Sequence, residues 1–180
     1  FVGIERCDSL VVDPHKWLFS PFDCAALVYR NPSIARDAHT QQAGYLEPII
    51  DDTVWNPCDY AHVLTRRARG MPFWFSLAVH GTDAYREAIE GTLEVARATR
   101  ELVAAADHLE LIVEPELSVV AFRRSGWERA DYQSWCDRLL AEGTALLTPT
   151  TVDGGPAMRV CIINPRTTVD DLSTILATLV

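Results

Sequence analysis

A chain of 180 residues, 48% apolar and 23% charged, has globular composition and enough length for one large or two small domains with a buried core. Its net charge of −9 excludes the clustered positive field that a nucleic-acid partner requires, and the short basic run Arg66-Arg67-Ala68-Arg69 does not overturn that balance. No stretch approaches the ~20 apolar residues of a membrane span and no basic-then-apolar leader opens the chain, so a cytoplasmic, soluble protein without a membrane partner is expected.

Residues 8–12 predict a short buried strand ended by Pro14, and residues 24–30 a second one, between Pro21 and Asn31-Pro32. Lys16 therefore falls just past the carboxyl end of a strand, the rim where ligands bind in α/β folds. Residues 37–62 show no sustained period and carry Gly44, Pro48 and Pro57, which suits a long functional loop. From Pro72 the pattern turns helical and Gly81 stops it. Thr82 then caps a longer helix whose Tyr85, Ile89, Leu93, Ala96 and Val103 share one face to about Ala106.

Two strands follow, at 109–113 and 118–122, joined at Pro115. Residues 129–142 make the clearest amphipathic helix, with Tyr132, Trp135, Cys136, Leu139 and Leu140 at i, i+3, i+4, i+7 and i+8, and Gly143 ending it. Strands at 145–151 and 157–163 flank the turn Asp153-Gly154-Gly155-Pro156. A last helix starts at Thr168, three residues before its capping-box partner Asp171. The C-terminal third thus reads ββαββα, a small α+β domain after a long connecting helix.

Five scattered cysteines, Cys7, Cys24, Cys58, Cys136 and Cys161, lack the two-residue spacing of metal or redox pairs. They read as buried small hydrophobes in a reducing compartment, and no metal site is expected. The five tryptophans, Trp17, Trp55, Trp74, Trp127 and Trp135, read as core or interface packing.

Fifteen arginines stand against a single lysine, Lys16. An amine can lose its proton in a desolvated pocket and attack a carbonyl, whereas a guanidinium stays protonated, so the retained lysine points to imine chemistry. Its surroundings, Ser9-Leu10-Val11-Val12-Asp13-Pro14-His15-Lys16-Trp17-Leu18 followed by Phe22-Asp23-Cys24-Ala25-Ala26-Leu27-Val28, closely resemble the cofactor-lysine segment of the group II pyridoxal-phosphate-dependent amino-acid decarboxylases, the aromatic-amino-acid decarboxylase family. Tyr45-Leu46 resembles that family's mobile-loop tyrosine. Leu64-Thr65-Arg66-Arg67-Ala68-Arg69 with Phe73-Trp74-Phe75 resembles the segment after the loop. The similarity covers most of residues 8–81.

The resemblance implies a fold-type I, pyridoxal-phosphate-dependent transferase-like α/β architecture. Residues 1–81 would close the large cofactor-binding domain and carry its mobile loop, 82–108 would form a connecting helix, and 109–180 a small α+β C-terminal domain. It implies that Lys16 holds pyridoxal phosphate covalently, that His15 approaches the cofactor phosphate and that Tyr45 gives a proton to the α carbon after carbon dioxide leaves. Read without the motif, Lys16 is a solvated surface lysine, His15 a satisfied structural group and Tyr45 an exposed loop aromatic. Asp13 departs from the asparagine found in many members; a carboxylate repels phosphate, so a turn-forming role is equally open to it. The three arginines read as facing phosphate, substrate carboxylate or a second subunit, or as a solvated face, while Leu64 and Thr65 resemble positions at the active-site mouth of a homodimer.

The expected reaction is decarboxylation of an L-amino acid, with aromatic substrates favoured. An aldehyde synthase or carbon–carbon lyase on the same scaffold, or a non-catalytic dimerisation module, are the alternatives. The chain opens on Phe1 and its first strand signal comes within ten residues, so a truncated start is expected. The family's cofactor-stacking histidine and pyridinium-pairing aspartate would then lie upstream, leaving these residues inactive by themselves.

Overall fold

The computed structural model describes residues 2–41 and 54–179, so the loop tyrosine Tyr45 lies outside the described residues. The chain divides into two compact units, Phe1–Val79 and His80–Val180. The mixed helices and sheets agree with the expected α/β class.

The first unit is built on a two-stranded antiparallel ribbon, β1 (Ser9–Val12) and β2 (Ala26–Tyr29), in the register Ser9 opposite Tyr29 and Val12 opposite Ala26. At its open end the ribbon is tied by Arg30, whose backbone N–H donates to Asp8 O at 2.9 Å and whose guanidinium donates twice to Cys7 O. The sequence pattern places both strands correctly but not their burial. Leu10 is 38% exposed, Val11 65%, Leu27 50% and Val28 56%, so β1 is not the buried strand its composition predicts. Strand residues this apolar need cover on both faces, and in the described unit neither strand has a second sheet or helix layer enclosing it. After β2 comes α1 (Pro32–His39), an eight-residue helix that the sequence pattern does not predict and whose end overlaps the irregular segment expected from residue 37. Its start is written in Asn31, whose side chain accepts from Ser33 N, and in Pro32 at the first turn. A short 3-10 turn, Pro57–Tyr60, is capped the same way by Asn56.

Helix α2 (Gly70–Ala104) is interrupted at Gly81, where φ 76 and ψ 162 are non-helical. That conformation is open essentially to glycine alone, which is why the helical pattern breaks there and resumes at once. Pro72 lies in the first turn, as predicted, and Tyr85, Ala96 and Val103 are buried. Ile89 and Leu93 are only half-buried; Thr92 and Thr99 take inward positions instead, because each hydroxyl is satisfied by donating to a backbone carbonyl one turn back at 2.7 Å.

The rest of the second unit follows the predicted ββαββα order: β3 (Leu109–Leu111), β4 (Val119–Arg124), α3 (Arg129–Ala141), β5 (Pro149–Val152), β6 (Gly155–Cys161) and α4 (Val169–Ala177). The strands form one antiparallel sheet in the order β3-β4-β6-β5. Alternate residues Val120 and Phe122 of β4, with Met158 and Val160 of β6, enter the core; Val119, Arg159 and Cys161 point to the exposed face. Ala96 and Val103 of α2, Tyr132, Trp135, Cys136 and Leu139 of α3, and Leu172, Ile175 and Leu176 of α4 complete that core. Leu140, predicted inside, is 55% exposed, since the inward arc of α3 is filled by the other four residues. Buried polar atoms find partners: Tyr132 Oη accepts from Arg124 N at 2.7 Å and Trp135 Nε1 donates to Thr178 Oγ1 at 2.8 Å. The β5–β6 turn is tighter than the sequence suggests. Asp153 and Gly154 alone occupy it, with φ 50 and 76, while Gly155 and Pro156 already belong to β6.

All five cysteines are free, but only Cys24 and Cys136 are buried, so the expectation of five buried thiols holds for two of them. Burial pushes the Cys136 thiol up, with the Asp137 charge adding to it. Among the tryptophans Trp135 is core and Trp127 packs edge-on against it and Tyr132, whereas Trp55 and Trp74 are exposed.

Candidate functional site

The connection between β1 and β2 runs from residue 13 to residue 25 and carries Asp13, His15 and Lys16. The ladder ends at the pair Val12 and Ala26, which brings the two ends of this connection together. One step further in, His15 N donates to Cys24 O at 3.2 Å, so the pairing of the strands continues briefly into the loop. Two backbone bonds then wind the lysine turn: Lys16 N donates to Asp13 O and Ser20 N to Pro14 O, both at 3.0 Å. Pro14 and Cys24 are buried beneath it. A rigid proline and a buried small thiol thus hold a polar loop without competing for its hydrogen bonds.

The His15 ring is fixed by the same contact. Its Nδ1 lies 2.5 Å from Cys24 O and 3.2 Å from Cys24 N, and the shorter distance assigns the proton to Nδ1, donating to the carbonyl. Phe22 meets the ring edge-on with centroids 5.2 Å apart. With Nδ1 held, Nε2 is the atom His15 has for a further ligand. The Cys24 backbone is the anchor of His15, a role that residue type does not advertise.

Lys16 is exposed, its side chain 65% accessible, and its Nζ donates to Asp13 Oδ2 at 2.6 Å. The structure therefore differs from the desolvated pocket expected for this amine: among the described residues it is an accessible cation paired with a carboxylate. The hydrogen bond from Lys16 holds the Asp13 carboxyl below the usual carboxylate range; desolvation opposes it, and the Lys16 and His15 charges reinforce it. The turn-forming role left open for Asp13 is also seen, since its carbonyl closes the Lys16 turn. Opposite charges three residues apart were the sequence signal for this pair.

The three arginines separate. Arg69 Nε pairs with Asp23 Oδ2 at 2.9 Å, which fastens the lysine connection to the residue preceding α2 and lowers the Asp23 carboxyl. Arg66 donates to Pro57 O at 3.0 Å and lines an open groove of about 690 Å³ with Tyr29, His39, Trp55, Tyr60 and His62. Arg67, Leu64 and Thr65 are exposed. The structure thus brings Lys16, His15 and Asp13 into one turn, and Tyr45 lies outside the described residues.

These residues suit a phosphorylated aldehyde cofactor. They supply a reachable primary amine, an imidazole anchored through one nitrogen, and, at the end of the same turn, a buried Ser20 hydroxyl with no hydrogen-bond partner among the described residues. The fold is of the mixed α/β type and carries an accessible amine on the connection between its first two strands. A family model described as the pyridoxal-dependent decarboxylase conserved domain matches residues 1–125, and the chain belongs to that family.

Similar proteins agree. Aromatic-L-amino-acid decarboxylase of Bacillus atrophaeus is 30% identical over 188 residues, covering 94% of this chain and 37% of that protein. L-2,4-diaminobutyrate decarboxylase of Acinetobacter baumannii is 30% identical over 183 residues, covering 97% of this chain and 36% of that protein. The crystal structure of Catharanthus roseus tryptophan decarboxylase in complex with L-tryptophan superposes with a TM-score of 0.81 at 25% identity, over 98% of this chain and 37% of that one. The chain therefore spans little more than a third of the length of these relatives.

Proposed function

We propose that this chain is the C-terminal portion of a pyridoxal-phosphate-dependent decarboxylase that releases carbon dioxide from an L-amino acid to leave an amine. What carries the reading is Lys16, the one lysine of the sequence, standing with an accessible amine on the β1–β2 connection inside the family match. In this reading residues 1–81 close the cofactor domain, 82–108 connect, and 109–180 form the small domain.

When bound, pyridoxal phosphate supplies an electron sink for the charge left on the α carbon as the carboxylate departs. The chain's own residues do the rest. Lys16 would hold the cofactor through its amine. His15, its ring fixed through Nδ1, would as an imidazolium donate a charge-assisted hydrogen bond from Nε2 to the cofactor's phosphate. Tyr45 returns the proton to the α carbon, which favours amine over aldehyde as the product.

Aromatic amino acids are the favoured substrates, supported by the aromatic-L-amino-acid and tryptophan decarboxylases among the similar proteins. A homodimer is supported by the exposed apolar stripe Met71, Trp74, Phe75 and Val79, which recurs at helical spacing on the start of α2. Five free cysteines and an acidic chain fit a reducing cytoplasm. No helix among the described residues is long and apolar enough to cross a membrane.

The test is substitution in the intact protein. Lys16→Arg keeps the charge and abolishes both carbon dioxide release and the visible absorbance of the attached cofactor; retained absorbance in that variant overturns the assignment. Tyr45→Phe slows amine formation and raises the aldehyde share of the product, and an unchanged ratio removes its role as donor.

A further inference from the structure

We propose that Asp13 is a latch for Lys16: its carboxylate holds the amine against the turn, and Lys16 bonds an aldehyde only after leaving it. The inference rests on the reading of Lys16 as the attachment point and adds a positioning residue to it. Three observations carry it. The Nζ to Oδ2 distance is 2.6 Å, short for an exposed ion pair. The partners are locked in register by their own backbone, because Lys16 N donates to Asp13 O across the same three-residue step. The contact is also felt electrostatically by Asp13, which is held below the ordinary carboxylate range by Lys16 first and by the neighbouring His15 charge as well. The conformation that forms the pair is thus prescribed by the turn and does not depend on a long side chain finding a distant partner.

The chemistry gives the latch a direction. An ammonium has no lone pair and cannot attack a carbonyl. To react, Lys16 must part from Asp13 and give one proton to water. Its lone pair then forms the carbon–nitrogen bond, and the two remaining nitrogen hydrogens leave with the aldehyde oxygen as water. A carboxylate that keeps the amine in the pair therefore slows capture without altering the final bond. It also returns the amine to a fixed place whenever the bond is broken. The pair is exposed, so its effect is modest and screened by salt.

The experiment uses the intact protein stripped of cofactor and mixed with pyridoxal 5'-phosphate, following the rate of covalent capture at neutral pH. Asp13→Asn, which keeps the shape but not the charge, and Asp13→Ala are expected to capture about twofold to fivefold faster than wild type at low salt. Asp13→Glu keeps a carboxylate and stays within twofold of wild type. The wild-type rate itself is expected to rise as salt screens the pair, approaching the Asn variant near 1 M, a reading that needs no substitution. Equal binding of pyridoxine 5'-phosphate, which lacks the aldehyde, establishes that the variants keep the cofactor cleft. Asn and Ala variants that capture no faster than wild type, or a wild-type rate flat in salt, overturn the latch. That failure is distinct from failure of the underlying reading: the first leaves the label on Lys16, the second places it elsewhere.

Discussion

The two units hold their strands in opposite ways. In His80–Val180 the four-stranded sheet buries one face under three helices, and Val120, Phe122, Leu139 and Met158 are fully enclosed. In Phe1–Val79 the β1–β2 ribbon leaves Leu10, Val11, Leu27 and Val28 accessible, and the residues proposed to act, Lys16 and His15, sit on the connection between these strands. In the proposed reading, stability and reactivity are therefore carried by different parts of the chain. The helix-and-sheet unit closes a core of its own, while the lysine turn is held locally, by Cys24, by Pro14 and by the Arg69–Asp23 pair.

The contrast makes graded predictions. The largest effect is expected at Phe122, fully buried at the centre of the sheet: Phe122→Ala should cost about 3–5 kcal/mol in denaturant unfolding of the 180-residue chain. The same chemical change in the two units is the sharper comparison. Val120→Ala, at 0% exposure, should cost about 2 kcal/mol, whereas Val11→Ala, at 65%, should stay within about 0.5 kcal/mol. Equal losses would break the distinction between the units. A loss at Val11 of about 1 kcal/mol or more that appears only in the intact protein would show the ribbon covered there.

A smaller effect belongs to α4. Thr168 Oγ1 accepts from Asp171 N at 3.2 Å and Asp171 Oδ2 accepts from Thr168 N at 2.8 Å, so Thr168→Ala should cost about 1 kcal/mol. The smallest is its acid dependence. Hydrogen bonds from the Thr168 amide and then its hydroxyl lower the Asp171 carboxyl, so the folded value lies below the unfolded value of about 3.9. The contribution is therefore fully present above that value and lost as pH falls through the lower folded one. Thermal unfolding followed from pH 6 to pH 2 should show Asp171→Asn losing less stability than wild type, and identical acid profiles would remove the group from the account.

Much of the second unit was legible in the residues because its signals are local. The break at Gly81, the capping pair Thr168 and Asp171, and the helical spacing of Tyr132, Trp135, Cys136 and Leu139 each specify one feature without help from distant chain. Where polar residues compete with apolar ones the pattern misled: Thr92 and Thr99 are buried because their hydroxyls bond within the helix, which hydropathy does not encode. The site was legible as a motif and not as geometry. Composition and position singled out Lys16, but neither reported that its amine is exposed and paired with Asp13, or that His15 is anchored by the backbone of Cys24. Those contacts depend on β1 and β2 aligning Val12 with Ala26, a register no single segment contains. The exposure of β1 escaped the pattern for a related reason, since an apolar run states what a strand requires and not whether cover is present.

The proposed chemistry turns on one amine, that of Lys16. Borohydride reduction of the intact, cofactor-loaded protein, followed by digestion and mass-spectrometric mapping, should place the reduced pyridoxyl label on Lys16. A label recovered quantitatively on any other lysine would contradict it.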